Sequence, residues 1–224
     1  MIHLNEVRIP AGRATLDGNL TIVDEATALV LFVHGSGSSR HSPRNQFVAR
    51  VLNNAGLATL LFDLLTPEEE LSDSRTAELR FDIRLLAGRL LHATTWTREQ
   101  EQTRTLPMGY FGSSTGGAAA LVAAAELAQE VGAVVSRGGR PDLAGAALPK
   151  VQAPTLFVVG GEDDIVIELN EQARDHMRCK VKLEIIPGAT HLFEEPGALE
   201  QVAKLASNWF VDHLGDKQTL GRSD

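Results

Sequence analysis

The chain has 224 residues, 43% of them hydrophobic and 22% charged, which is enough apolar material for one sizeable core and points to a single domain over residues 1–224. A formal net charge of -8 excludes the broad basic footprint that nucleic-acid binding requires. A single cysteine, Cys179, excludes an intramolecular disulfide framework, and the absence of any Cys/His cluster argues against structural zinc.

The start, Met1 to Glu6, lacks a basic segment followed by an apolar one, and no run approaches transmembrane length. A cytoplasmic protein with no membrane partner is expected. Ile2 to Ile9 and Ala14 to Val23 alternate imperfectly across Pro10-Ala11-Gly12, as antiparallel strands at a sheet edge do. Ala28 to Val33 is continuously apolar, the mark of a strand covered on both faces, and ends in His34-Gly35-Ser36-Gly37. Ser42-Pro43 reads as N-cap and first helical residue of a helix with Phe47, Val48, Val51 and Leu52 on one face and Gly56 beyond its end. Ala58 to Leu64 is a second buried strand.

Thr66 to Glu70 reads as an acidic loop, and Leu79, Ile83, Leu86 and Leu90 as the stripe of one long helix from Ser74 to Thr97 with a solvated arginine face. Gly109 to Ser113 is a strand that runs into an Ala- and Leu-rich helix. Ala133 to Val135 is a short strand before a loop from Ser136 to Asp142, and Thr155 to Val159 another, ending in Gly160-Gly161-Glu162-Asp163-Asp164. Leu169 to Met177 reads as helix and Val181 to Ile186 as the last strand. Pro196 opens a closing helix with Leu199, Val202, Leu205, Ala206, Trp209 and Phe210 inward, before a polar tail from Gly215 to Asp224 that is expected to be loose. Alternating strand and helix predicts an α/β class with a mostly parallel, doubly wound sheet and antiparallel N-terminal edge strands.

Gly112-Ser113-Ser114-Thr115-Gly116 fits G-x-S-x-G between a strand and a helix, where small residues let the backbone turn sharply and hold Ser114 exposed at the apex. A histidine, His191, and the carboxylates of Glu162, Asp163 and Asp164 follow at strand ends, in the order serine, acid, histidine. A serine hydroxyl needs an imidazole to take its proton, and the imidazole needs a carboxylate to fix its tautomer. On these residues, from about Val7 to Leu214, the sequence resembles the α/β-hydrolases, and within them the small dienelactone-hydrolase-like serine hydrolases.

The resemblance implies the α/β-hydrolase fold, with Ser114 as nucleophile, His191 as base and Asp163 as acid, since Gly160-Gly161-x-Asp163 is similar to the family's acid turn. It implies the N–H groups of Ser36 and Thr115 as the oxyanion hole. Dienelactone hydrolases themselves carry a cysteine nucleophile, so the serine here points to an esterase and not to dienelactone as substrate. Too few residues follow the Ala133 to Val135 strand for a cap domain, which suits small, soluble acyl groups.

Arg40, Arg44, Arg137 and Arg140 follow strands at the catalytic edge and are candidate contacts for a carboxylate or phosphate on the substrate, as is His41 for the substrate at large. Asp63, at the same edge, reads as a carboxylate that braces a loop. No residues with ligand spacing suggest a metal, and no cofactor is implied. The expected activity is hydrolysis of a small carboxylic ester or lactone through an acyl-enzyme. Thioester cleavage or acyl transfer by the same residues, or a non-catalytic small-molecule binding protein on the same fold, stand as alternatives. The sequence sets neither the oligomeric state nor the natural substrate.

Overall fold

The computed structural model describes residues 1–215, so the expected loose tail beyond Gly215 lies outside the described residues. An eight-stranded sheet runs in the order β1-β2-β4-β3-β5-β6-β7-β8. Strands β1 (Ile2–Ala11) and β2 (Ala14–Val23) pair antiparallel, and β2 pairs antiparallel with β4 (Leu57–Phe62). From β4 onward β3 (Ala28–Val33), β5 (Met108–Ser113), β6 (Val131–Arg137), β7 (Thr155–Gly160) and β8 (Val181–Ile186) are parallel. The expected architecture is the observed one.

Alternation along each central strand splits its side chains between two apolar layers. In β3, Leu29, Leu31 and Val33 join the layer under α3 (Ile83–Glu99) and α4 (Thr115–Glu126). Ala28, Val30 and Phe32 join the opposite layer, under α1 (Pro43–Asn54) and α6 (Ala198–Leu214). Both faces of β3 are therefore sealed, which is why its sequence is an unbroken apolar run. The chain winds outward from β3 to β4, then crosses back to β5 and continues the other way, so the strand order reverses between β3 and β5. Loops leaving those strands diverge and open a crevice at their carboxyl ends.

Several elements differ from their sequence reading. The acidic segment after β4 is a helix, α2 (Pro67–Thr76), started by a reciprocal cap: the Glu69 N–H donates to the Thr66 hydroxyl and the Thr66 N–H to the Glu69 carboxylate. The single long helix is broken, because the buried carboxylate of Asp73 accepts the N–H groups of Leu79 and Arg80 and draws residues 79–81 into a tight 3-10 turn. A fresh N-cap at Asp82, accepting from the Leu85 N–H, then starts α3. On the arginine face, expected to be mostly solvated, Arg89 is the exception: it is buried and donates to the Ala11 carbonyl and to Glu69 at 2.6 Å.

Strand β6 is longer than its apolar core. Ser136 and Arg137 pair with Gly112 and Ser113 of β5, so Arg137 is a strand residue and not a loop residue. After β6, Pro141–Lys150 forms 3-10 turns. Helix α5 (Asp164–His176) starts five residues earlier than expected and α6 two residues later than Pro196. Among the described residues no helix is long and apolar enough to cross a membrane.

The approach of α4 to the sheet sets the tightest limit of backbone against backbone among the described residues. A Cβ at Gly116 would collide with the carbonyl oxygens of Val33 and His34 at the end of β3. Gly116→Ala is therefore expected to lose about 3 kcal/mol or more in urea unfolding, because both obstacles are backbone. Gly88→Ala, in the interior of α3 with nothing within 4 Å of its Cβ, is expected to gain about 0.5–1 kcal/mol in the same assay.

Candidate active site

Ser114 sits between β5 and α4 with φ 50 and ψ -121, a positive φ that side chains other than glycine rarely adopt. Its surroundings hold it there. The Ser114 N–H donates to the Arg137 carbonyl at 3.2 Å, while its own carbonyl accepts from Gly117 and Arg140. Such strain persists only where neighbours over-determine the backbone, and it clusters at functional sites. The neighbouring Ser113 points away, with its hydroxyl donating to the Asn45 side chain in the α1 layer.

Nδ1 of His191 lies 2.6 Å from Oδ2 of Asp163, the residue that precedes α5. Both side chains are partly buried, whereas Glu162 and Asp164 are exposed. The imidazole packs against Gly138, whose Cβ position would be 3.4 Å from Cε1 of His191. Gly138 follows the residue that accepts the Ser114 N–H, so the histidine loop and the serine turn meet at the end of β6. Phe193 anchors the histidine loop: its ring is buried in the α1/α6 layer and its backbone takes φ 56.

The turn after β3 lies against the serine. A Cβ at Gly35 would be 3.1 Å from Cβ of Ser114, so glycine lets the two loops touch. His34 is buried and spans the joint, with Nδ1 2.9 Å from the Gly35 carbonyl oxygen and Nε2 3.0 Å from the Leu64 N–H. Because the Leu64 N–H can only donate, Nε2 must be the acceptor and Nδ1 the protonated nitrogen. Burial pushes the His34 pKa down, which keeps the ring neutral and both bonds intact.

A cleft of about 280 Å³ opens from this joint. Ser36 and Thr115 line its floor, Leu64, Leu65 and Leu86 its apolar wall, and α2 and the 3-10 turn its far side through Glu70, Asp73 and Arg80. Thr115 is the first residue of α4, so its N–H has no partner within the helix. The far wall escaped the sequence reading. Its signal was the Thr66-Pro67-Glu68-Glu69 helix start, which shows that the segment folds over the sheet edge instead of trailing into solvent. A larger groove of about 810 Å³, beside the β1-β2 turn, holds none of the candidate residues.

The four candidate arginines separate into two kinds, and only Arg40 and Arg140 lie in loops, since Arg44 is in α1 and Arg137 in β6. Arg40 is tied to Asp63 through its backbone N–H and its guanidinium, so Asp63 braces this loop. Arg140 makes a two-pronged bond to Asp142. Arg44 reaches Glu194 at 3.3 Å, and Arg137 is buried without an ion-pair partner among the described residues. His41 is exposed and does not line the cleft. Among the described residues no group of three or more His, Cys, Asp or Glu could hold a metal ion.

Neutral His34 ties folding to pH. Its pKa is lowered in the folded state, so the unfolded chain binds the extra proton first, and stability that is complete above about pH 6.5 is lost as the pH falls. Urea unfolding between pH 7.5 and 5.5 is expected to show this loss, at up to about 1.4 kcal/mol per pH unit from this group, and His34→Gln is expected to have the shallower dependence.

The model of the dienelactone hydrolase family matches residues 28–214. A crystal structure of a dienelactone hydrolase from Anabaena variabilis is 60% identical, with a TM-score of 0.94 over 95% of this chain and 99% of that one. Est1E from Butyrivibrio proteoclasticus shares the fold at 17% identity, with a TM-score of 0.78 over 93% of this chain and 98% of that one. A protein of Mycobacterium tuberculosis named putative phosphoribosyl transferase is 58% identical over 209 residues, which are 93% of this chain and 46% of that relative. The chain thus spans about half the length of the curated relatives it matches.

Proposed function

The chain belongs to the dienelactone hydrolase family, and from that membership we propose that it is a serine hydrolase cleaving small carboxylic esters or lactones through an acyl-enzyme. One observation carries the reading: a serine held at positive φ at a strand-to-helix turn, in a chain where a later histidine is bonded to a carboxylate at 2.6 Å. In this reading the Ser114 Oγ attacks the substrate carbonyl carbon as its proton passes to Nε2 of His191. Asp163 accepts the Nδ1–H, which presents Nε2 as the base and stabilises the imidazolium that forms.

The oxyanion accepts hydrogen bonds from the N–H groups of Ser36 and Thr115, each supplying about 3–4 kcal/mol by analogy with single-donor removals. Collapse of the tetrahedral intermediate breaks the bond to the leaving oxygen, which takes the proton from His191. Water, activated by the same imidazole, then releases the acid and restores Ser114. A cleft of about 280 Å³ sits at the lower limit of small-molecule sites, which supports a short acyl or alcohol group. The name of the Mycobacterium relative belongs to a protein more than twice the matched length, while serine, imidazole and carboxylate are the groups of acyl transfer to water.

With short-chain aryl esters, wild type is expected to turn over and to form one fluorophosphonate adduct on Ser114, seen by intact-mass measurement. Ser114→Ala is expected to do neither, and Asp163→Asn to lower kcat by about 10⁴-fold through loss of the correct imidazole tautomer. Absence of both turnover and adduct in folded wild type across an ester panel rejects the hydrolase reading in favour of a binding protein.

A further inference from the structure

Four arginines around the catalytic edge and the α2 segment are committed to carboxylates: Arg40 to Asp63, Arg80 to Asp73, Arg89 to Glu69 and Arg140 to Asp142. Arg137 is different. It is 8% exposed, its Nη1 is fully buried without a hydrogen-bond partner, and among the described residues no carboxylate lies within ion-pair distance. Its place follows from the strand: Ala133 and Val135 face the α1/α6 layer, and alternation turns Arg137 to the same side, beside Ser113 and Asn45 at the start of α1.

The charge that reaches Arg137 is another cation. Arg44, the second residue of α1, is close enough for its positive charge to add to burial in lowering the Arg137 pKa to about 10. The Arg44 Nε is likewise buried without a partner, while its Nη1 reaches across to Glu194 on the histidine loop. Asn45, the neighbour of Arg44, accepts the hydroxyl of Ser113, the β5 residue paired with Arg137, so the two arginines come from adjoining positions and each holds a buried guanidinium nitrogen without a partner, an arrangement that is costly to bury unless an anion meets them. Planar guanidinium forks match carboxylate and phosphate oxygens in pairs.

We propose that Arg44 and Arg137 form a binding site for a single carboxylate or phosphate group, placed between the start of α1 and the loop that carries His191. Neither arginine lines the cleft that holds Ser36 and Thr115, but the Arg137 backbone carbonyl accepts the Ser114 N–H, which ties the site to the serine turn. An anionic group on the substrate and a free small anion are the two sources of that chemistry.

Calorimetric titration of inorganic phosphate into wild type, Ser114→Ala, Arg137→Met and Arg44→Gln tests the site without requiring turnover. One phosphate per chain is expected to bind wild type and Ser114→Ala alike, with affinity at least about tenfold weaker in both arginine variants. Arg44 is half-exposed, so Arg44→Gln carries the test even where Arg137→Met does not fold. No binding to wild type, or binding that Arg44→Gln leaves unchanged, overturns the proposal. A second arm, which rests on the hydrolase reading, compares kcat/KM for a dicarboxylate half-ester and its neutral diester. A fall of about tenfold in the anionic-to-neutral ratio in Arg44→Gln assigns the site to a substrate group, whereas phosphate binding with an unchanged ratio assigns it to a free anion.

Discussion

The near-contact between the backbone of α4 and the ends of β3 and β5 is the constraint on which the rest depends. At Gly116 the helix touches carbonyl oxygens of Val33 and His34, and at Gly112 the strand touches the helix in return. No side chain fits between them, so the chain must turn from β5 into α4 within a residue, and Ser114 absorbs the turn at φ 50. Such a backbone conformation costs about 1–3 kcal/mol. Bonds from Gly117 and Arg140 to the Ser114 carbonyl, and from its N–H to Arg137, offset that cost and tie the turn to the neighbouring strand β6.

Topology then brings the other parts to the same rim. Since the winding reverses between β3 and β5, the loop after β3 is free to lie against the serine, and glycine at position 35 lets it do so. The loops after β7 and β8 reach the rim from the opposite side, carrying Asp163 and His191. Buried and half-buried polar groups lock each piece in place: neutral His34 joins the β3 turn to Leu64, Asp63 grips Arg40, and Asp73 folds the α2 segment over the cleft. Each ends on backbone or charge, so the rim is set by polar partners while the two apolar layers beneath set only the sheet. Arg137 stands apart: it is buried and, among the described residues, has no carboxylate within ion-pair distance.

Much of the fold was legible in the residues themselves, because a strand sealed on both faces must be apolar throughout and a strand on the edge must alternate. Ala28 to Val33 and Thr155 to Val159 showed the first property, and Ile2 to Val23 the second. The helix break at Ala77 was not legible. Leu79, Ile83, Leu86 and Leu90 keep helical spacing across it, and what ends α2 is the Asp73 carboxylate capturing two backbone N–H groups further along the chain. Strand β6 was read short for a related reason: a serine and an arginine do not look like buried strand, yet pairing with Gly112 and Ser113 carries the ladder through them.

By itself the sequence determined the class of fold, the serine turn with its small flanking residues, and the chain order of serine, carboxylate and histidine, since all three depend on local backbone preference and hydrophobic period. Tertiary structure alone decided which carboxylate meets His191, that Arg40 and Arg140 are neutralised by neighbours while Arg137 is buried without one, and that α2 walls the cleft. Those outcomes are choices of partner across tens of residues. They turn on the distance and angle at which folded elements approach, and a charge or a hydroxyl has the same letter in the sequence whether or not something stands opposite it.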